Sequence, residues 1–274
     1  SIMLSIEEIK LLIEKLEKVK KEDLQELIDT NLKILKDIEM AVDASGTEAV
    51  ENTVNPPSWY RRDLQEKMKA PVVDPWLYRV VQTKIFQFQA ISGSSTKGGL
   101  YNSLEIGPGN GMFSKEFRSW RINYFLDILE ELEKKIRRRF PPLHQKYLKF
   151  FRTRKTHCEA MPQGSCNFVF SWDTFVFFSQ NHIQHYLHDI KRVIVPGGYC
   201  FIQYADCHFD YDLLQAKRGY WQYNTKTAMT KIIEEEGYEV VEMNQFRPGA
   251  NYAVFRKPGK QNSVTYKVSE ITLD

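Results

Sequence analysis

Apolar residues recur at three- and four-residue steps from Leu4 through Ile9, Leu12, Leu16, Leu24, Ile28 and Leu32 to Leu35, among lysines and glutamates. That period predicts helix over residues 4–40, as an amphipathic pair or one long helix. Residues 43–59 carry a glycine, two prolines and several small polar side chains, the composition of a linker. A helical pattern returns over 77–90, and the Ser/Gly run ISGSSTKGG then leads into the short apolar segment YNSLEI. From there the period changes. Strand-like runs at 101–106, 123–126, 147–151, 167–171, 199–204, 238–244 and 252–256 alternate with helix-like segments, which predicts βαβ units and a mostly parallel sheet. The last two runs follow one another closely and are expected to form an antiparallel hairpin. The resulting plan is a helical extension and linker over 1–55, a main domain over 56–257 with its core at 100–256, and a tail over 258–274.

Composition narrows this little. With 42% hydrophobic, 13% aromatic and 27% charged residues, the chain is of ordinary globular type, neither disordered nor fibrous. No run approaches the ~18 apolar residues that cross a bilayer, and the opening residues lack the cationic-then-apolar order of a secretory signal. A cytoplasmic location is therefore expected, with no membrane partner. Cys158, Cys166, Cys200 and Cys207 form no CxxC pair, so reduced, packed thiols are expected rather than a disulfide framework.

Charge adds one feature. Between Lys134 and Lys155 stand ten Lys or Arg residues and no acid. An RNA-modifying enzyme uses such a tract against phosphates, but a solvated face is favoured because the tract falls between the second and third strands. The net charge of +3 makes no case for nucleic acid by itself.

The strongest local pattern is Leu104-Glu105-Ile106-Gly107-Pro108-Gly109-Asn110-Gly111, an apolar strand entering a loop with glycine at every second position. A helix over MFSKEFRSW, residues 112–120, is expected to follow. Glycines allow close backbone approach to a ligand, and a helix start offers free N–H groups. Asp127, followed by Ile128, lies 20 residues after Gly107 at the end of the next apolar run, where a carboxylate can accept hydrogen bonds from ribose hydroxyls. A dinucleotide fingerprint GxGxxG would need its third glycine at Met112; here the spacing is GxGxG behind an acid.

These residues resemble the class I S-adenosylmethionine-dependent methyltransferases. The resemblance implies an α/β fold with a Rossmann-like seven-stranded, mostly parallel sheet ending in an antiparallel hairpin. It further implies that Glu105, Ile106, Gly107, Pro108, Gly109, Asn110 and Gly111 wrap the methionine part of the cofactor. Asp127, with Ile128 beside it, would hold the ribose, and His157 and Cys158 would lie by the adenine. The likeness continues through residues 167–173, where Ser171 and Trp172 end the fourth strand beside the transferred methyl. It continues again from Ile183 to Tyr204 through a helix, a Pro-Gly-Gly turn and the fifth strand. Within the family the later segments look most like bacterial O-methyltransferases acting on small molecules and sugars.

Transfer of a methyl group to an alcohol needs alignment and a base. Asp173, just past the fourth strand, is the first candidate, and helix capping is its alternative role. His182, near the start of a predicted helix, is the second. His182, His185 and His188 are spaced three apart, so they do not all face one ion, and no metal is expected. Asp206 and His208, past the fifth strand, are placed to contact substrate. Asn55-Pro56-Pro57-Ser58 matches the NPP motif of amine methyltransferases poorly and reads as a bent loop. A non-catalytic, methyltransferase-like scaffold is the remaining alternative, and the three loop glycines, costly in entropy, argue against it. The N-terminal helices are expected to cover the substrate end or to build a homodimer.

Overall fold

The computed structural model describes residues 74–93, 102–118, 121–128, 132–153, 158 and 161–259. The chain divides into two compact units, Ser1–Glu51 and Asn52–Asp274, and every described residue lies in the second. The expected N-terminal helices, the linker and most of the tail fall outside the described residues. Among those described, no helix is long and apolar enough to cross a membrane.

Seven strands form one sheet in the order β3-β2-β1-β4-β5-β7-β6: β1 (Asn102–Ile106), β2 (Ile122–Asp127), β3 (Leu148–Arg152), β4 (Cys166–Ser171), β5 (Ile194–Tyr204), β6 (Glu239–Gln245) and β7 (Asn251–Arg256). The pairs among β3, β2, β1, β4 and β5 are parallel. β7 runs antiparallel to both β5 and β6. The hairpin therefore folds inward, and composition explains the choice: β7 reads NYAVFR and is buried along nearly its whole length, whereas β6 reads EVVEMNQ and takes the exposed edge.

Side-chain alternation sorts the strands' residues onto two faces. On one, Phe168, Phe170, Phe201, Tyr252 and Val254 meet α1 (Pro75–Gly93) through Val81, Ile85 and Phe88. The Phe88 ring stands 5.5 Å from Tyr199 and 6.2 Å from Phe201. On the other, Val169, Cys200, Ile202, Ala253 and Phe255 meet α3 (Gln180–Val193) and α5 (Lys226–Glu235). Both of these helices begin on a hydroxyl cap, Ser179 for His182 N–H and Thr225 for Ala228 N–H, each worth about 1 kcal/mol. Two short helices also occur among the described residues, α2 (Leu132–Arg137) after β2 and α4 (Asp210–Lys217) after β5.

One predicted element changes. In place of a helix over 112–120, the described residues show only a 3₁₀ helix, Ser114–Phe117. The turn closed by Gly111 N–H on Pro108 O precedes it, and the buried Asn123 amide donates to the Phe117 carbonyl at 2.7 Å. That bond takes an acceptor that a continuing helix needs.

Candidate functional site

β1, β2, β4 and β5 end at the same edge of the sheet, and the functional side chains gather there. Glu105, next to last in β1, is almost fully buried and accepts the Ser114 hydroxyl at 2.5 Å. Loss of solvent pushes its acid up to about 8; the Ser114 bond and Arg139 pull it back, and Asp127 pushes the same way as burial. Gly107 donates its N–H to Leu126 O at 2.8 Å, which brings the loop over β2.

The three glycines of the loop answer to different demands, although all have positive φ. A Cβ on Gly107 would lie 2.1 Å from the Thr174 hydroxyl, so β4's following loop requires its absence. On Gly111 it would lie 2.9 Å from Cδ of Arg139. On Gly109 it would meet nothing within 4 Å, so the loop's backbone is open there to a ligand.

Beside the loop lies a cavity of about 250 Å³ whose walls include Pro108, Phe125, Asp127, Ile136, Phe150 and Arg152. Its walls are mainly apolar, with the Asp127 carboxylate at the end of β2, and Ile128 follows half-buried. A slot that sets aromatic rings and the Asp127 carboxylate beside an open glycine, with Glu133 (paired to Arg137) and Arg152 also in its wall, suits a nucleoside: a base against the rings and a diol on the acid. The residues fit such a cofactor.

At the end of β4, Ser171 donates its hydroxyl to Ile106 O at 2.8 Å and Trp172 packs among Phe113, Phe170 and Phe201. Both side chains are buried and hold β4 to its neighbours. Asp173 differs. It is exposed, and it is the one non-glycine among the described residues with positive φ, +54°. Its N–H donates to Oε1 of the buried Gln203 at 2.5 Å, and Gln203 Nε2 donates to Gly249 O at 2.8 Å. His182 is half-buried in the first turn of α3; burial, with His185 adding, lowers its pKa from the usual histidine range. It is therefore neutral near pH 7. His188 faces Glu236 at 3.0 Å instead of a shared ion, and no metal-holding group occurs among the described residues.

Cys158 does not join the edge, a correction to its expected place by the adenine. It is fully buried, its N–H donates to the Asp189 carboxylate, and its carbonyl accepts Arg192 Nη2 at 2.7 Å. Those partners lie at the end of α3, where β4 begins, on the opposite edge of the sheet. His157 lies outside the described residues.

Of three further features, the first was singled out by the sequence and the other two were not. Asp206 is buried past β5 and accepts His208 Nδ1 at 3.0 Å, leaving an exposed imidazole backed by a carboxylate. Asp212 beneath it accepts the N–H groups of Asp206 at 2.8 Å and Gly249 at 3.0 Å, and burial pushes its acid up to about 6. Arg139, one member of the basic tract, donates Nε–H to Asn110 O at 2.7 Å, on the glycine loop itself. Only the Asp-x-His spacing of the first could be noticed beforehand; the other two depend on long-range folding.

Comparison with known proteins agrees with this geometry. No curated protein matches the chain. Among solved structures, the N-methyltransferase NodS from Bradyrhizobium japonicum is 16% identical, with 68% of this chain and 99% of that one covered at a TM-score of 0.51. A protein from Bacillus halodurans described as a methyltransferase is 15% identical over 65% and 100%, at 0.52. The CurJ carbon methyltransferase is 14% identical over 66% and 54%, at 0.50. Likenesses at such identity establish the fold. A family profile described as a methyltransferase domain matches residues 60–243. The chain belongs to this methyltransferase family, and its cofactor is S-adenosylmethionine.

Proposed function

We propose that this methyltransferase acts on a hydroxyl of a small molecule or a sugar, in the cytoplasm. When bound, the cofactor supplies an electrophilic methyl on a sulfonium. In this reading residues 105–111 hold its methionine part, with Gly109 at the point of closest approach, and Asp127 and Ile128 hold its ribose. Asp173 would stand nearest the acceptor and take its hydroxyl proton, and the methyl group would come from the cofactor's sulfonium. His182, neutral near pH 7, is the second candidate for that proton. Exposed rings just past β5, Phe209, Tyr211 and Tyr220, suit the flat face of an aromatic compound or a sugar.

The observation that carries this reading is the left-handed Asp173, an exposed carboxylate held in an uncommon conformation at the end of β4. Such conformations gather at functional sites. S-adenosylhomocysteine release with a panel of phenols, sugars, amines and a short RNA tests it. Turnover on hydroxyl compounds that is lost in Asp173→Asn supports the proposal; turnover confined to amines or RNA rejects it. A second reading, RNA as acceptor, draws on the exposed Lys134, Arg138, Lys146, Lys149 and Arg152 of the basic tract and predicts RNA binding that falls steeply with salt. A homodimer built through the N-terminal helices is proposed as well, and sedimentation of the full chain against one lacking residues 1–55 tests it.

A further inference from the structure

Turns that hold an anionic ligand commonly aim the free N–H groups of the next helix at it. After the glycine loop of this chain the segment is a 3₁₀ helix of four residues, too short to supply that field. The cofactor nevertheless carries an anion, the α-carboxylate of its methionine part, which a positive group beside the loop would complement.

Arg139 is placed to be that group. After α2 the turn Arg139 N–H to Ile136 O, 2.9 Å, swings the chain back toward the loop. The side chain then lies on Gly111, with Cδ 2.9 Å and Nε 3.1 Å from where a Cβ would stand. Nε–H is committed to Asn110 O at 2.7 Å, which fixes the plane of the guanidinium. Its terminal nitrogens have no hydrogen-bond or ion-pair partner among the described residues. Glu105 lies close enough to feel the charge, yet it is buried against Ser114 with its acid pushed up to about 8. It is therefore mostly neutral near pH 7 and does not consume the charge of Arg139.

We propose that Arg139 receives the α-carboxylate of S-adenosylmethionine on its two terminal nitrogens, replacing the helix start that this loop lacks. A planar guanidinium meets a carboxylate through two parallel hydrogen bonds. Gly111 is then required for cofactor recognition indirectly, because any side chain there would displace the arginine.

Calorimetric titration of the full chain with S-adenosylhomocysteine and with its decarboxylated analogue tests this, since the two differ only in the carboxylate. The wild type is expected to prefer the first. Arg139→Met is expected to lose about 10- to 100-fold in affinity for it, the range of a charged hydrogen-bonded pair, and little for the analogue. Arg139→Lys, which keeps the charge without the fork, is expected to retain part of the preference and serves if the Met variant does not melt cooperatively. Equal loss on both ligands would overturn the role of Arg139 and leave it a prop for the loop. A wild type that binds neither ligand would overturn the cofactor assignment and this proposal together.

Discussion

Asp173 at the end of β4 donates its backbone N–H to the side chain of Gln203 in β5 at 2.5 Å. Through the other end of the same amide, 2.8 Å from Gly249 O, the β6–β7 turn is tied to the same point. One buried side chain thus holds an uncommon backbone conformation and joins it to the sheet's antiparallel half.

Substitutions at Asp173 should separate strain from chemistry. Asp173→Gly relieves a positive φ and is expected to leave stability unchanged or raised, whereas Asp173→Ala costs about 1 kcal/mol. Both should lower turnover by about 10²- to 10⁴-fold if the carboxylate takes the acceptor proton. Urea midpoints and initial rates on the same preparations check this.

Gln203→Leu removes the buried partner of two backbone groups. Each orphaned group costs about 1–3 kcal/mol, so a clear drop in the urea midpoint is expected, together with weaker turnover and little change in cofactor affinity.

The loop glycines should behave differently from one another. Gly109→Ala meets open space, so only the strain of a left-handed alanine, about 1–2 kcal/mol, is expected in stability, while cofactor affinity falls further. In Gly107→Ala the methyl collides with Thr174, and the protein itself should be destabilised. Thermal melts with and without S-adenosylhomocysteine distinguish the two.

Burial raises the Glu105 acid from 4.5 to about 8. The folded state therefore binds a proton more tightly than the unfolded one. The associated stability is fully present below the unfolded value and is lost as pH rises toward and through 8. Glu105→Gln lacks this dependence, so its stability relative to wild type should rise between pH 5 and pH 9, as read from urea midpoints.

Much of the fold was legible because buried parallel strands read as short apolar runs: Phe168-Val169-Phe170 and Tyr124-Phe125-Leu126 lie in β4 and β2 as expected. The βα turn at Gly107 and the acid at Asp127 were legible from spacing. The 3₁₀ helix was not, since its end is fixed by Asn123, a residue of the next strand. The contacts of Cys158 with Asp189 and Arg192 join residues 31 and 34 apart in the chain, a pairing that no local pattern records. Arg139 was hidden among other basic residues, and only the return of the chain after α2 sets it on Asn110.

A crystal structure of the full chain with S-adenosylhomocysteine tests the central claim most directly. The account predicts the ribose hydroxyls on Asp127, the methionine part along residues 105–111, and the sulfur facing the end of β4. An empty glycine loop in crystals grown at saturating ligand, or the ligand bound elsewhere, would contradict it.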